Sequence, residues 1–294
     1  MNYGPFLLRF FKWHMNTKSK PRPAPDGYES KLDVDALGDG IFSHQFDILY
    51  AKKENRLNKV VIDIHGGSYF FNTRKFNFAY AEIFLKEGYD VILLDYPQNN
   101  GKRGVIDQIR ILAKQISFLM EHAKEYSLNK DEFQLTGDSA GGHHALILAE
   151  ASNDLELCKK LEIDLNGFKP KSIFLSCPVY DYAETVRQAY FTKRGKKYVF
   201  GPKTLQEGHN DLISPRTYIK SLNIPLFLNT CKNDFIGLNS TLLHQDLEQL
   251  NYPHTYIYLD TDNKEVDHVH NIIKLEQKES IDVNNKILEF LKDK

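Results

Sequence analysis

Gly137-Asp138-Ser139-Ala140-Gly141 fits G-x-S-x-G, the spacing that holds a serine hydroxyl clear of the backbone at a sharp strand-to-helix turn. A side chain at either flanking glycine would clash with so tight a turn. An apolar run, Phe133 to Thr136, precedes the motif, and a helix-compatible stretch, Gly142 to Ala151, follows it. A serine placed this way attacks carbonyls when three further parts are supplied. A base takes its proton, a carboxylate orients the base, and N–H donors meet the negative charge that develops on the substrate. The chemistry of such a set is acyl transfer.

The sequence offers a candidate for each part. His65-Gly66-Gly67-Ser68-Tyr69 follows the expected strand Lys59–Ile64. A Gly-rich turn there lets backbone N–H groups approach an oxyanion without interference from Cβ atoms. The expected hole is the N–H groups of Gly67, Ser68 and Ala140, with His65 bracing the loop. Tyr69 is the expected substrate contact, alone or with Phe70 and Phe71, and ordinary packing is the alternative. For the carboxylate, Asp234 lies just past the run Pro225–Thr230, with Asp260 and Asp262 as alternatives. Its task is to hold the base in the right tautomer. For the base, Asp267-His268-Val269-His270-Asn271 follows the run His254–Leu259. His268 is preferred because the loop presents its base early, while His270 begins the stretch that packs the terminal helix. His-x-His also reads as a fragment of a metal site. Zinc needs three or four ligands, no nearby Cys or His completes such a set, and neither a metal nor another cofactor is expected. Asp138 reads as a support for neighbouring loops, and one of His143 and His144 as packed against the sheet. Asp181 and Tyr182 fall at the edge that faces the site.

Elements able to position these residues alternate along the chain. Strands are expected at Ser43–Ala51, Lys59–Ile64, Asp90–Asp95, Phe133–Thr136, Ser172–Cys177, Pro225–Thr230 and His254–Leu259. Helical patterns lie at Lys75–Glu87, Val105–Tyr126, Ser139–Ser152, Leu238–Leu250 and Ser280–Lys292. Runs such as Val60-Val61-Ile62 and Val91-Ile92-Leu93-Leu94 are continuously apolar, as in strands buried on both faces, so the fold class is α/β with a mostly parallel sheet. Tyr180–Tyr218 breaks the rhythm and is long for a connection, which suggests a cap or lid. Its basic cluster, Lys193, Arg194, Lys196 and Lys197, reads as a solvated face, with attraction of an anionic substrate as the alternative. Residues 15–30 read as a linker or lid. The expected organisation is an N-terminal lid or cap segment over residues 1–30, then a single domain over 31–294 with a cap-like insertion around 180–218.

Composition narrows the field further. The chain has 294 residues, 41% of them hydrophobic, enough for a sizeable core. A net charge of -1 argues against a nucleic-acid partner. Three cysteines, Cys158, Cys177 and Cys231, make no even framework and read as free thiols in a reducing compartment. Arg9 and Lys12 interrupt the apolar start Phe6–Phe11, so a secretory segment is not expected; a short amphipathic helix over the mouth of the site is, with peripheral membrane contact as the alternative. No run approaches the ~20 apolar residues of a membrane span. A soluble cytoplasmic protein without stable membrane insertion follows as the expectation.

Ser139, then Asp234, then His268 is the chain order of α/β-hydrolases, distinct from the chymotrypsin and subtilisin orders. With His65-Gly66-Gly67, Gly137–Gly142 and Asp95-Tyr96, the chain from about residue 40 onward resembles the hormone-sensitive-lipase-like and acetyl-esterase group of α/β-hydrolases, BD-FAE-like members included. The resemblance implies a mostly parallel central sheet flanked by helices, with a small cap. It also implies a serine carboxylesterase that hydrolyses short-chain acyl esters, acetyl or carbohydrate esters among them, through an acyl-enzyme. Two departures stand out. Ser68 and Tyr69 follow His-Gly-Gly where the group often has a third glycine. Pro97-Gln98-Asn99-Asn100 follows Tyr96 without the usual arginine, which puts a loop-bracing interaction in question. Two other readings stay open: a peptidase on the same fold, of a type that usually carries an added propeller domain, and a non-catalytic relative that binds a ligand or protein.

Overall fold

The computed structural model describes residues 4–18 and 23–294. Part of the expected 15–30 linker, residues 19–22, lies outside the described residues, as do residues 1–3 of the expected lid. One eight-stranded sheet organises the chain: β1 (Ser30–Asp35), β2 (Gln45–Leu49), β3 (Val60–Ile64), β4 (Asp90–Leu94), β5 (Phe133–Asp138), β6 (Ile173–Ser176), β7 (Leu226–Cys231) and β8 (His254–Leu259). Their spatial order is β1-β2-β4-β3-β5-β6-β7-β8. β2 runs antiparallel to both β1 and β4. Every pairing from β4 through β8 is parallel. The mostly parallel sheet flanked by helices is therefore as expected.

The continuous apolar runs are explained by cover on both faces. Val60, Ile62 and Ile64 of β3, and Ile92 and Leu94 of β4, enter the core that also holds helices Val105–His122 and Ala140–Ala151. The intervening Val61, Val91 and Leu93 enter the opposite core, against helices Phe78–Lys86 and Lys278–Lys292. Alternate side chains thus serve different layers, and each fully buried Val, Leu or Ile contributes roughly 1.5–3 kcal/mol.

Among the differences from the expected elements, three involve the sheet edge and the segment after β3. β1 (sequence SKLDVD) carries no strand signal, because it is a charged and largely exposed edge pairing only with β2. The expected strand Ser43–Ala51 opens with a 3-10 turn, Phe42–His44, before β2. The helix expected from Lys75 starts as a 3-10 turn, Arg74–Asn77, and becomes α-helical at Phe78.

Between β6 and β7 the stretch 180–218 contains helices Tyr182–Gln188, Lys193–Phe200, His209–Leu212 and Pro215–Tyr218. Side-chain caps start the first two: Asp181 accepts from Glu184 N–H, and Thr192 accepts from Gly195 N–H. The N-terminal helix, Pro5–Lys18, lies beside them. It buries Leu8, sets Phe11 against the rings of Phe70 and Phe71, and places the Arg9 guanidinium over Tyr198. No described helix is long and apolar enough to cross a membrane.

Candidate active site

Parallel strands deliver their C-terminal ends to one edge of the sheet, where open α/β sheets present their sites. β5 ends at Asp138, and Ser139 then turns the chain into helix Ala140–Ala151 with φ 52° and ψ -115°. L-residues rarely hold such a conformation, and three backbone hydrogen bonds impose it. Ser139 N–H donates to Ser176 C=O, and Ser139 C=O accepts from His143 and Val179 N–H. The turn tolerates only glycine at its flanks. A Cβ on Gly141 would lie 1.9 Å from Ile64 C=O, and one on Gly137 would lie 2.5 Å from the Gly141 backbone.

Ser139, His268 and Asp234 converge. His268 Nε2 stands 2.9 Å from Ser139 Oγ, and His268 Nδ1 stands 2.7 Å from Asp234 Oδ1. Asp234 Oδ1 also accepts from Ile236 N–H at 3.0 Å, and Oδ2 accepts from the Thr230 hydroxyl at 2.8 Å. Burial pushes the Asp234 carboxyl up, but the bond from His268, its charge and these two further donors outweigh it and leave the group below its ordinary value. Asp234 is thus held ionised, and its two donors fix which oxygen meets the imidazole. The ring of Phe235 covers His268, with centroids 4.5 Å apart. His270 lies elsewhere: its Nδ1 pairs with the Ser280 hydroxyl at 2.9 Å inside the protein. Asp260 and Asp262 are exposed and pair with Lys232.

Opposite the serine lies the loop after β3. Gly67, Ser68 and Tyr69 all have positive φ, at 134°, 48° and 69°. At Gly67 a Cβ would meet Phe71 C=O at 2.2 Å. The N–H groups of Gly67, Ser68 and Ala140 have no protein acceptor among the described residues, which leaves them free for a ligand oxygen. Asp138 Oδ1 accepts from Gly66 N–H at 2.9 Å and from Asn77 at 3.2 Å, so this residue holds the loop against the elbow.

His65 is fully buried and stacked on Tyr96, with centroids 4.3 Å apart. Its Nδ1 faces Gly66 C=O at 2.7 Å and its Nε2 faces Asp95 Oδ1 at 3.2 Å. Both partners are acceptors, so both nitrogens donate only in the imidazolium form. Burial opposes that charge, yet Asp95 and the carbonyl raise the His65 pKa above its ordinary value.

Tyr69, expected as a substrate contact, is 2% exposed. Its ring packs edge-on against His143, His144 and Tyr182 and lies near Phe200. Tyr69 thus joins helices Tyr182–Gln188 and Lys193–Phe200 to helix Ala140–Ala151. His143 and His144 are both buried, bonded to Ile213 C=O and the Gln108 amide, and burial drives both pKa values down, that of His143 to about 4.

Sequence reasoning missed several residues around the site. Arg74 is fully buried and pairs with Asp47 at 2.9 Å, Asp95 at 3.0 Å and also Asp33. It supplies Asp95 with the cation that the sequence lacks after Tyr96. Cys177 lies behind the triad, where its sulfur accepts from Val269 N–H and burial pushes the thiol well up, making it a packing group. Asp63 sits beneath Asp138 and shares Asn77 with it; burial, then the Asp138 charge, raises its pKa to about 7. None of these occupies a motif, and only the pairing of β3 with β5 brings Asp63 under the elbow.

The BD-FAE family model matches residues 46–247. The chain belongs to the BD-FAE family. Gly67, Ser139 and Asp234 fall inside the matched stretch, and His268 lies beyond it. Among curated proteins, no sequence matches the chain. Esterase B from Lactobacillus rhamnosis superposes with a TM-score of 0.87 at 22% identity, covering 98% of this chain and 96% of that one. The same esterase, inhibited by a C4-C4 SN3 tributyrin phosphonate, gives 0.86 at 21% identity, covering 98% and 94%. A truncated carbohydrate esterase from gut microbiota gives 0.74 at 18% identity, covering 92% and 99%. At these identities the likeness establishes the α/β-hydrolase fold.

Proposed function

We propose that this chain is a serine carboxylesterase for short-chain acyl esters, with acetylated carbohydrates within its range. The observation that carries the reading is the continuous relay from Asp234 Oδ1 through His268 to the strained Ser139, with distances of 2.7 and 2.9 Å. Ser139 Oγ attacks the ester carbonyl while His268 Nε2 takes the hydroxyl proton. The tetrahedral oxyanion receives the N–H groups of Gly67, Ser68 and Ala140. Collapse breaks the bond to the alcohol, which leaves with the proton from His268. Water, deprotonated by the same imidazole, then releases the acid and restores Ser139. Asp234 keeps the proton of His268 on Nδ1 and stabilises the imidazolium, without itself taking the proton.

The short-chain preference is supported by the tributyrin phosphonate that inhibits the structurally similar esterase B, and the carbohydrate range by the likeness to a carbohydrate esterase. Replacing Ser139 by Ala should abolish turnover of p-nitrophenyl butyrate and labelling by a fluorophosphonate probe. Labelling that persists in that variant would remove Ser139 from the role. A panel of p-nitrophenyl esters of graded length, with acetylated sugars alongside, tests the substrate class. Highest kcat/KM on long acyl chains would contradict it.

A further inference from the structure

The N-terminal helix presents its aromatic side chains outward. Leu8 faces the body, while Phe6, Phe10 and Trp13, spaced i, i+4 and i+7, form the opposite face at 87%, 58% and 61% exposure. Phe10 and Trp13 touch each other, with centroids 5.8 Å apart, and so extend one apolar surface. Water-exposed aromatics in such a row mark a surface that meets something else.

Charge identifies the partner. Helix Pro5–Lys18 contains three Arg or Lys residues and no Asp or Glu. The cap helix beside it, Lys193–Phe200, contains four Lys or Arg and again no carboxylate. Lys193, Arg194 and Lys197 of that helix are exposed. This concentration of cations stands out in a chain whose net charge is -1. A second copy of the chain is a poor partner, since a two-fold contact sets the same cationic patch against itself. An aromatic face with a basic margin suits an anionic lipid surface, where rings enter the headgroup region and cations meet phosphates. At 14 residues the helix lies in the interfacial plane, because a span needs about 20.

We infer that helices Pro5–Lys18 and Lys193–Phe200 dock the chain reversibly on an anionic lipid–water interface. Both helices border the loop proposed to hold the oxyanion: Phe11 packs on Phe70 and Phe71, and Phe70 packs on Tyr198. Docking therefore turns the mouth of the site toward esters dissolved in or bordering the lipid. That consequence rests on the esterase reading, whereas the docking itself does not.

Trp13 is the sole tryptophan in the chain, so its emission reports docking directly. Vesicles of phosphatidylglycerol and phosphatidylcholine should shift that emission to the blue and protect it from an aqueous quencher. Raising the salt, or using phosphatidylcholine alone, should weaken the response. A cation near an anionic surface is worth about fivefold in affinity, so Lys193→Glu/Arg194→Glu/Lys197→Glu should bind at least a hundredfold more weakly. Phe6→Ser/Phe10→Ser should lose the response while hydrolysing dissolved p-nitrophenyl acetate as before, which controls for folding. Ser139→Ala should still dock, so loss of activity and loss of docking remain separable. An unshifted Trp13 in anionic vesicles, an equal response to neutral ones, or Trp13 buried in a dimer at assay concentration would each overturn the inference.

Discussion

Replacing Asp234 by Asn tests whether the site fixes the tautomer of His268 by geometry as well as by charge. In many triads the amide is free to turn its NH2 toward the imidazole, which selects the wrong tautomer and costs roughly 10⁴ in kcat. Here the two carboxylate oxygens have unlike surroundings. Oδ1 accepts from both His268 Nδ1 and Ile236 N–H, while Oδ2 accepts from the Thr230 hydroxyl. A backbone N–H donates and never accepts, so an amide NH2 at the Oδ1 position would face the Ile236 N–H as a second donor even after His268 moved its proton to Nε2. The Thr230 hydroxyl can rotate to accept an N–H. In Asp234→Asn the new amide should therefore set its oxygen toward His268 and keep the proton on Nδ1. What the variant loses is the negative charge beside the imidazolium. Unit charges about 4 Å apart at an effective dielectric of 20 interact by about 4 kcal/mol, which corresponds to roughly 10³ in kcat. Asp234→Ala also loses the orienting acceptor and should fall by roughly 10⁴ or more. Initial rates on p-nitrophenyl butyrate measure the three enzymes, and 15N shifts of His268 report its tautomer. If Asp234→Asn is as impaired as Asp234→Ala, with the proton found on Nε2, then Ile236 does not lock the amide and the reasoning is wrong.

Three further outcomes follow from the same structure. Gly67→Ala forces a Cβ to within 2.2 Å of Phe71 C=O at a φ of 134°, so the loop must shift; kcat should fall by roughly 10²–10³ while KM changes little. Arg74→Met strands Asp47 and Asp95 in the interior without their cation, and urea unfolding should show a loss of about 3–5 kcal/mol. Asp63 holds its proton to about pH 7 in the folded protein and to 3.8 when unfolded, so the native state binds more protons between those values and stability falls as pH rises through them. Asp63→Asn should accordingly stabilise the protein above pH 7, by about 4 kcal/mol at most at 1.36 kcal/mol per pH unit, and change little below pH 4. An Asp63→Asn protein no more stable at pH 8 than its parent would remove Asp63 as a buried strained acid.

What is legible in the sequence is what obeys short-range rules. The central strands announce themselves because both faces are covered, which makes Val60-Val61-Ile62 and Val91-Ile92-Leu93-Leu94 continuously apolar. The elbow announces itself because only glycine fits at positions 137 and 141. The invisible parts are those whose meaning is set by a distant neighbour. β1 is a strand only because β2 lends it hydrogen bonds, and its SKLDVD sequence otherwise reads as a loop. Arg74 reads as one more surface cation until the fold brings Asp33, Asp47 and Asp95 around it. Tyr69 belongs to a glycine-rich loop and so reads as a pocket residue, but the cap helices close over its ring. Between His268 and His270, two residues apart, the order along the loop favours His268, and the loop after β8 gives His268 to Ser139 and His270 to Ser280.

The arginine absent after Tyr96 has a structural counterpart in Arg74, which braces the same aspartate from another element. Asp95 binds both ends of the loop that offers Gly67 and Ser68. At the start, His65 Nε2 meets Oδ1 at 3.2 Å. At the end, the Arg74 backbone N–H and guanidinium both meet Oδ2, at 3.3 and 3.0 Å. A loop clamped at both ends on one buried carboxylate has little freedom between them, and its middle is held in positive φ at Gly67, Ser68 and Tyr69. An oxyanion hole is effective to the degree that its donors need no reorganisation as charge develops. Arg74 draws the end of the loop carrying Gly67 and Ser68 onto that carboxylate. This clamp restrains the donors that the proposed reaction would use, and it does so from a position that no motif marks.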